Sequence, residues 1–290
     1  MKNSKLPTLR FPAMKSLLAA LAASALGAAT SHAALILDLQ GSNYTPVANG
    51  GQGGTWTDAS SSGNNATPYT AILNAGKTAS ATPSGQAAVN FNYRVFTSSN
   101  TTDSKQFKLA TPLTSANFTT APNFSLFAVV NLQTLTSNPI FLMDGAEQGD
   151  LTWRLNVNGT QTLTSVAVAD VGTSTGTAFT TGTWSILTVT YGSGNYAFYL
   201  NGAQVGTGSS SRTFTTPTFS EIGGGFGVQT AFLGLVADFQ IYDSAMSSGA
   251  VATQYTSLYN TYVVPEPSTW GLFALGLLAV VTFRRRSLQL

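Results

Sequence analysis

The feature that most restricts this chain is an apolar-polar alternation of period two, broken about every eight to twelve residues by clusters of Gly, Asn, Ser and Pro. Side chains alternate across a strand, so this pattern makes half-buried strands, whereas a helix needs its apolar residues three and four apart. Strands are predicted at Leu35–Leu39, Ala88–Tyr93, Ile140–Met143, Leu151–Val157, Leu163–Ala169, Trp184–Tyr191, Tyr196–Leu200 and Leu233–Tyr242. In FSLFAVVNL, Phe124–Leu132, both faces are largely apolar, which marks a central strand. Asn201-Gly202 accepts positive φ at both turn positions and predicts a hairpin from Tyr196–Leu200 into Ala203–Val205. Only Ser247–Tyr259 reads as a helix, weakly, because Gly249 and several β-branched residues lower its propensity. Short strands between frequent turns predict an antiparallel two-sheet sandwich.

The two ends follow other rules. Lys2, Lys5, Arg10 and Lys15 precede an apolar run from Leu17 to Ala29, followed by Ser31-His32-Ala33. Cations, a short apolar segment and small residues in that order make a secretory signal helix over 1–33, with cleavage before Ala34. At the other end, Thr269–Phe283 is almost wholly apolar and, at about 1.5 Å per residue, would reach roughly 22 Å as a helix. That is short of the about 30 Å of a bilayer core, so a transmembrane helix here needs local thinning. Arg284, Arg285 and Arg286 follow and favour the cytoplasmic side, placing the body of the protein outside the inner membrane. The ordered set of Pro265-Glu266-Pro267, apolar segment and Arg cluster resembles the bacterial PEP-CTERM sorting domain. The resemblance implies recognition and removal of the tail, 263–290, by an exosortase. It also implies transient tethering at the inner membrane, then transfer to the cell surface or release, in association with extracellular polysaccharide. A plain tail anchor is the alternative.

Between these ends, 34–262 forms one predicted domain. From Ala34 to Val264 there are six Lys and Arg against ten Asp and Glu, a net of −4, although the whole chain carries +2. A mildly acidic body gives nucleic acid no electrostatic footing. The chain has no Cys, and its only His, His32, lies in the predicted signal. Disulfides, thiolate nucleophiles, Cys or His zinc sites and a Ser-His-Asp triad are therefore excluded from the mature body. Carboxylate chemistry remains: a Glu or Asp pair for glycoside hydrolysis, or an oxygen-ligand calcium site.

Three blocks give the domain a resemblance of its own. TWTDASSSGNNAT (Thr55–Thr67, followed by GQAAVNFN), FSLFAVVNL, and FLGLVADFQIYDSAMSSGAVATQY (Phe232–Tyr255) are similar to the opening segment, central strand and closing strand of laminin-G-like domains. These belong to the concanavalin A-like lectin/glucanase superfamily, and the resemblance implies an all-β jelly roll. The glucanases of that superfamily carry Glu-x-Asp-x-x-Glu on one strand, which nothing here matches, so no catalytic residue is assigned and a glycoside hydrolase is the least favoured reading. Asp144, Glu147 and Asp150 in DGAEQGD could hold calcium, the one cofactor considered; the alternative is a solvated loop whose charges guard an edge strand. Carbohydrate binding is the leading expectation. Sugars are gripped by aromatic faces and by Asn and Asp groups, which singles out Trp56, Asp58, Asn64, Asn65 and Tyr69. Trp56 could instead be a plug that fixes the opening loop, and Trp153 and Trp184 sit in strand patterns that favour the core. A matrix protein that packs against other proteins without a glycan site is the competing class.

Overall fold

The computed structural model describes residues 33–46, 54–68, 76–91, 107–118, 123–133, 140–144, 153–157, 163–168, 171–174, 180–209, 219–223 and 232–265. The chain divides into Met1–His32 and Ala33–Leu290, and all described residues lie in the second unit. The predicted signal helix up to His32, Tyr69, Glu147, Asp150, Glu266, Pro267, the apolar tail helix and Arg284, Arg285 and Arg286 lie outside the described residues.

The strands are β1 (Leu35–Pro46), β2 (Gly54–Asp58), β3 (Ala66–Pro68), β4 (Gly76–Thr78), β5 (Ala88–Asn90), β6 (Phe107–Leu113), β7 (Phe124–Leu132) and β8 (Ile140–Asp144). Then come β9 (Trp153–Val157), β10 (Leu163–Val168), β11 (Val171–Ser174), β12 (Trp184–Gly192), β13 (Asn195–Leu200), β14 (Ala203–Ser209), β15 (Phe219–Ile222) and β16 (Gly234–Tyr242). Among the described residues one α-helix, α1, spans Ser248–Leu258 and runs on into a π turn at Tyr259–Val263. The hydrogen-bonded order is β11-β10-β9-β8-β15-β6-β3-β2-β1-β16-β7-β12-β13-β14, with β5 bridging β4 and β16. The paired strands run antiparallel. Neighbours in space are far apart in sequence, as a jelly roll requires: β1 pairs with β16, and β16 with β7.

β1 is longer than the alternation predicts, because Gly41-Ser42-Asn43 looks like a turn but stays extended. Its first half pairs with β16 and its second half with β2, across a register shift between Leu39 and Tyr44. Gly41 is required there: a Cβ would lie 2.4 Å from the Ala87 carbonyl oxygen and 2.6 Å from the Ala88 Cα. β1 is thus the corner that joins the two layers. Between them lies the main core, where Leu39, Tyr44, Trp56, Phe107 and Leu109 meet Leu126, Val130, Val189, Phe198, Phe239 and Ile241.

β7 is buried at all nine positions, as its two-sided apolarity predicts. Phe124, Leu126, Ala128, Val130 and Leu132 join the main core, while Phe127 and Val129 lie in a second cluster beneath α1 with Val251, Leu258 and Tyr262. Ser247 caps α1, accepting from the Ala250 N–H at 3.3 Å. No charge sits in either end turn, and Val251 and Leu258 are the helix's buried residues. Packing, more than propensity, holds it on the sheet. The Asn-Gly turn forms as expected, with φ of 50° at Asn201 and 77° at Gly202.

Candidate functional site

The opening segment shows what its polar residues do. Trp56 on β2 is 0% exposed. Its Nε1–H donates to the Gln40 carbonyl at 2.7 Å, and its ring lies 5.3 Å from Phe107 and 6.3 Å from Phe91. A sugar platform must offer a face to solvent, and this ring, packed beside Phe91 and Phe107, offers none.

Asp58 ends β2 and organises the loop after it. Its Oδ1 accepts from the N–H groups of Asp38 (2.9 Å) and Ser60 (2.8 Å). Its Oδ2 accepts from the Asn64 N–H at 2.7 Å and lies 2.9 Å from the Ser60 hydroxyl and 2.7 Å from that of Ser62. Burial pushes this carboxyl up, but the hydrogen bonds from Ser62 and from the Asp38, Ser60 and Asn64 backbones outweigh it, leaving its pKa below the usual value.

Asn64 imitates a backbone unit, donating from Nδ2 to the Thr111 carbonyl at 2.6 Å and accepting the Thr111 N–H at 2.9 Å. Asn65 accepts the Asp58 N–H on its side-chain oxygen at 3.0 Å and the Ala110 N–H on its carbonyl at 2.8 Å. The structure brings Trp56, Asp58, Asn64 and Asn65 together as a staple that ties β1, β2, β3 and β6. Tyr69 lies outside the described residues.

Of the calcium candidates, Asp144 is the last residue of β8, paired with Glu221 of β15. Glu147 and Asp150 lie outside the described residues, among which no cluster of three metal-ligating acids or histidines occurs. Trp184 is half-buried against the second cluster and donates to the Ala81 carbonyl at 3.2 Å.

Two arrangements escaped sequence reasoning. The first is a buried acid pair. In the β1–β16 ladder Asp38 lies opposite Gln240 and Asp238 opposite Gln40, so the two acids share the face that lies under α1. Asp38 Oδ2 accepts from Gln40 Nε2 at 2.8 Å, and Asp238 Oδ2 from Gln240 Nε2 at 3.1 Å. Gln240 Oε1 accepts from the Tyr242 hydroxyl at 3.1 Å and from Gln254 Nε2 at 2.8 Å. Burial, then the neighbouring Asp38 charge, push the Asp238 carboxyl well above its usual range, against an opposing hydrogen bond from Tyr262. Asp38 Oδ1 and Asp238 Oδ1 have no donor.

The second is a groove of about 660 Å³ on the face of β12, β13 and β14 that points away from the core. Register aligns Thr190, Ala197 and Thr207 in one row and Gly192, Asn195 and Ser209 in the next, with Gln204 beyond them. Asn195, Gln204, Thr207 and Ser209 are exposed, and Ala245 closes one side. Among the described residues the lining holds hydroxyls, amides and backbone, with no charged group. Tyr196 contributes to the wall, but it is 1% exposed and its ring joins the core.

A sequence model described as concanavalin A-like lectin/glucanases superfamily (laminin G type) matches residues 99–252, more than half of the chain. The chain belongs to this superfamily. The matched span includes the central and closing blocks, while the opening block, Thr55–Thr67, precedes it. A second model, the PEP-CTERM protein-sorting motif, matches residues 263–286. The superfamily domain is thus part of an exported protein whose C-terminus carries the signal for exosortase processing. No helix among the described residues is long and apolar enough to cross a membrane.

Solved structures similar to this superfamily member include domain 4 of AbnA, a GH43 extracellular arabinanase from Geobacillus stearothermophilus, in complex with arabinotriose. It has 15% identity and a TM-score of 0.48, over 76% of this chain and 98% of that one. The SAP-like pentraxin of Limulus polyphemus is 16% identical with a TM-score of 0.47, over 59% and 82%. The Trypanosoma rangeli sialidase is 17% identical with a TM-score of 0.46, and 77% of this chain spans 32% of it. No curated protein matches the chain.

Proposed function

We propose that the mature protein is a non-catalytic carbohydrate-binding module of the cell surface or extracellular matrix, tethered at the inner membrane by its apolar tail until exosortase processing, and that its glycan contact is the β12–β14 groove. The observation that carries this reading is the groove itself, on a superfamily domain attached to an export and sorting signal. Exposed amides and hydroxyls on a rigid sheet suit sugar hydroxyls, and a lining without charge among the described residues favours a neutral glycan over a uronic-acid or sulfated one. The Asp38–Asp238 pair is an unsuitable hydrolytic pair, because it is sealed under α1, with Asp38 6% and Asp238 2% exposed. A polysaccharide cannot reach it.

The test is a glycan array probed with the purified exported protein, with and without calcium, alongside Gln204→Ala/Ser209→Arg. Binding of a neutral glycan by the parent, weakened at least tenfold in the variant without release of reducing sugar, is expected. Equal binding by parent and variant would remove the groove, and release of reducing sugar would overturn the non-catalytic assignment. One observation favours the matrix reading: among the described residues no exposed ring stands in the groove, and the exposed aromatic is Tyr259, 5.5 Å from Tyr255 at the end of α1. A parent that binds no glycan yet co-sediments with matrix would select that reading.

A further inference from the structure

The first residues of the domain make an arrangement that fits a processed chain better than an unprocessed one. Ala34 extends the β1–β16 ladder by one step beyond Leu35 and Tyr242, its carbonyl accepting the Asp243 N–H at 3.0 Å. Its own N–H points to the Asp243 side chain and donates to Oδ1 at 2.7 Å. That distance already lies within the about 2.7–2.9 Å range of a charge-assisted N–H bond to a carboxylate. Asp243 is 8% exposed, although Ala34 is exposed. Independently, the small residues Ser31 and Ala33 predict cleavage between Ala33 and Ala34, one residue from the division after His32.

We propose that signal peptidase cuts the Ala33–Ala34 bond and that the α-ammonium group so created at Ala34 forms an ion pair with Asp243 that closes the β1–β16 end of the sandwich. Hydrolysis adds water across the peptide bond, leaving a carboxylate on Ala33 of the departing signal and an ammonium on Ala34. The ammonium inherits the place of an amide nitrogen that the ladder already holds against Asp243.

β1, β2, β7, β16 with the turn after it, and α1 carry Asp38, Asp58, Asp238 and Asp243 and no Lys or Arg. Their other titratable groups are tyrosines, among them Tyr44, Tyr242 and Tyr255. A chain beginning one residue earlier or later would carry its ammonium about 3.8 Å away along the backbone and lose the contact. Export and stability are thereby linked, since the charged contact exists only after processing. The inference requires an exported chain but no bound glycan.

The test uses the exported protein purified after processing. Intact-mass and N-terminal analysis should find Ala34 first; any other first residue overturns the proposal. Reductive ¹³C-methylation then lets the α-amine be titrated by NMR. Its pKa should lie at least one unit, a tenfold change in proton affinity, above the ordinary ~7.7–8.0 and return there in Asp243→Asn. Selective α-amine acetylation of the parent, which needs no mutant to fold, should lower the melting temperature at pH 7 but leave it unchanged near pH 11. The sign follows from linkage: a raised ammonium pKa gives stability that is full below the unfolded-state value and lost as pH rises through the folded value. An ordinary amine pKa, or acetylation without thermal effect at pH 7, would refute the pairing.

Discussion

The opening loop after β2 and the groove on β12–β14 are built from similar residues, Asn, Ser and neighbouring polar groups, and use them in opposite ways. In the loop, Asp58 and Asn64 are buried and their polar atoms bond the chain to itself. In the groove, Gln204 and Ser209 are exposed on β14, whose backbone is paired with β13 by the ladder. A polar residue that completes a backbone network is part of the fold, whereas one standing on a finished ladder can bond something else. Composition alone does not separate the two cases.

The comparison breaks hardest at Trp56. Trp56→Ala should cost about 3–5 kcal/mol in urea unfolding, through the cavity left among Tyr44, Phe91 and Phe107. If the variant is as stable as the parent but has lost glycan binding, the plug assignment is wrong.

Asp58→Ala comes next, on the order of 2–3 kcal/mol, since it strands the buried N–H groups of Asp38 and Asn64. The pH dependence sharpens it. The folded carboxyl lies below its usual value, so its contribution is present above the unfolded pKa of about 3.9 and is lost as pH falls through the folded value. The gap between parent and variant should narrow in acid; a constant gap would mean that the loop does not depend on the ionised carboxylate.

Asp238→Asn should have a smaller effect of opposite sign. The raised folded pKa means that Asp238 stabilises the fold fully below about pH 3.9 and less as pH rises toward the folded value. The Asn variant, which cannot ionise, should therefore gain melting temperature on the parent as pH rises from about 3.9 toward the folded value. Parallel curves would show that the acid pair does not hold a proton. The groove variant Gln204→Ala/Ser209→Arg should change stability least, within about 0.5 kcal/mol, while abolishing glycan binding. A large loss of stability would place these side chains with the loop's.

Much of the architecture is legible along the chain because it is local. FSLFAVVNL shows its two buried faces directly, and Asn201-Gly202 shows its turn. β6 carries the same signal, with Phe107, Leu109 and Leu113 buried and Lys108 and Ala110 exposed, but beside Thr111 and Pro112 it does not stand out from a loop. β2 and β3, of five and three residues, are too short for alternation to be distinctive. The acid pair was missed for a different reason. A search for two carboxylates on one strand cannot find Asp38 and Asp238, which lie on neighbouring strands and meet only through the β1–β16 register.

The sequence by itself determined that this protein is an exported, Cys-free sandwich of antiparallel strands with a sorting tail, since alternation, turn residues and terminal signals depend on nearest neighbours. Only the tertiary structure decided that Trp56 faces inward, that Asp58 and Asn64 are bonded to the chain, that three strands align a polar groove, and that Ala34 meets Asp243. Those outcomes depend on which distant strands pair and in what register, and burial, which converts a candidate ligand into a structural bond, exists only once they have paired.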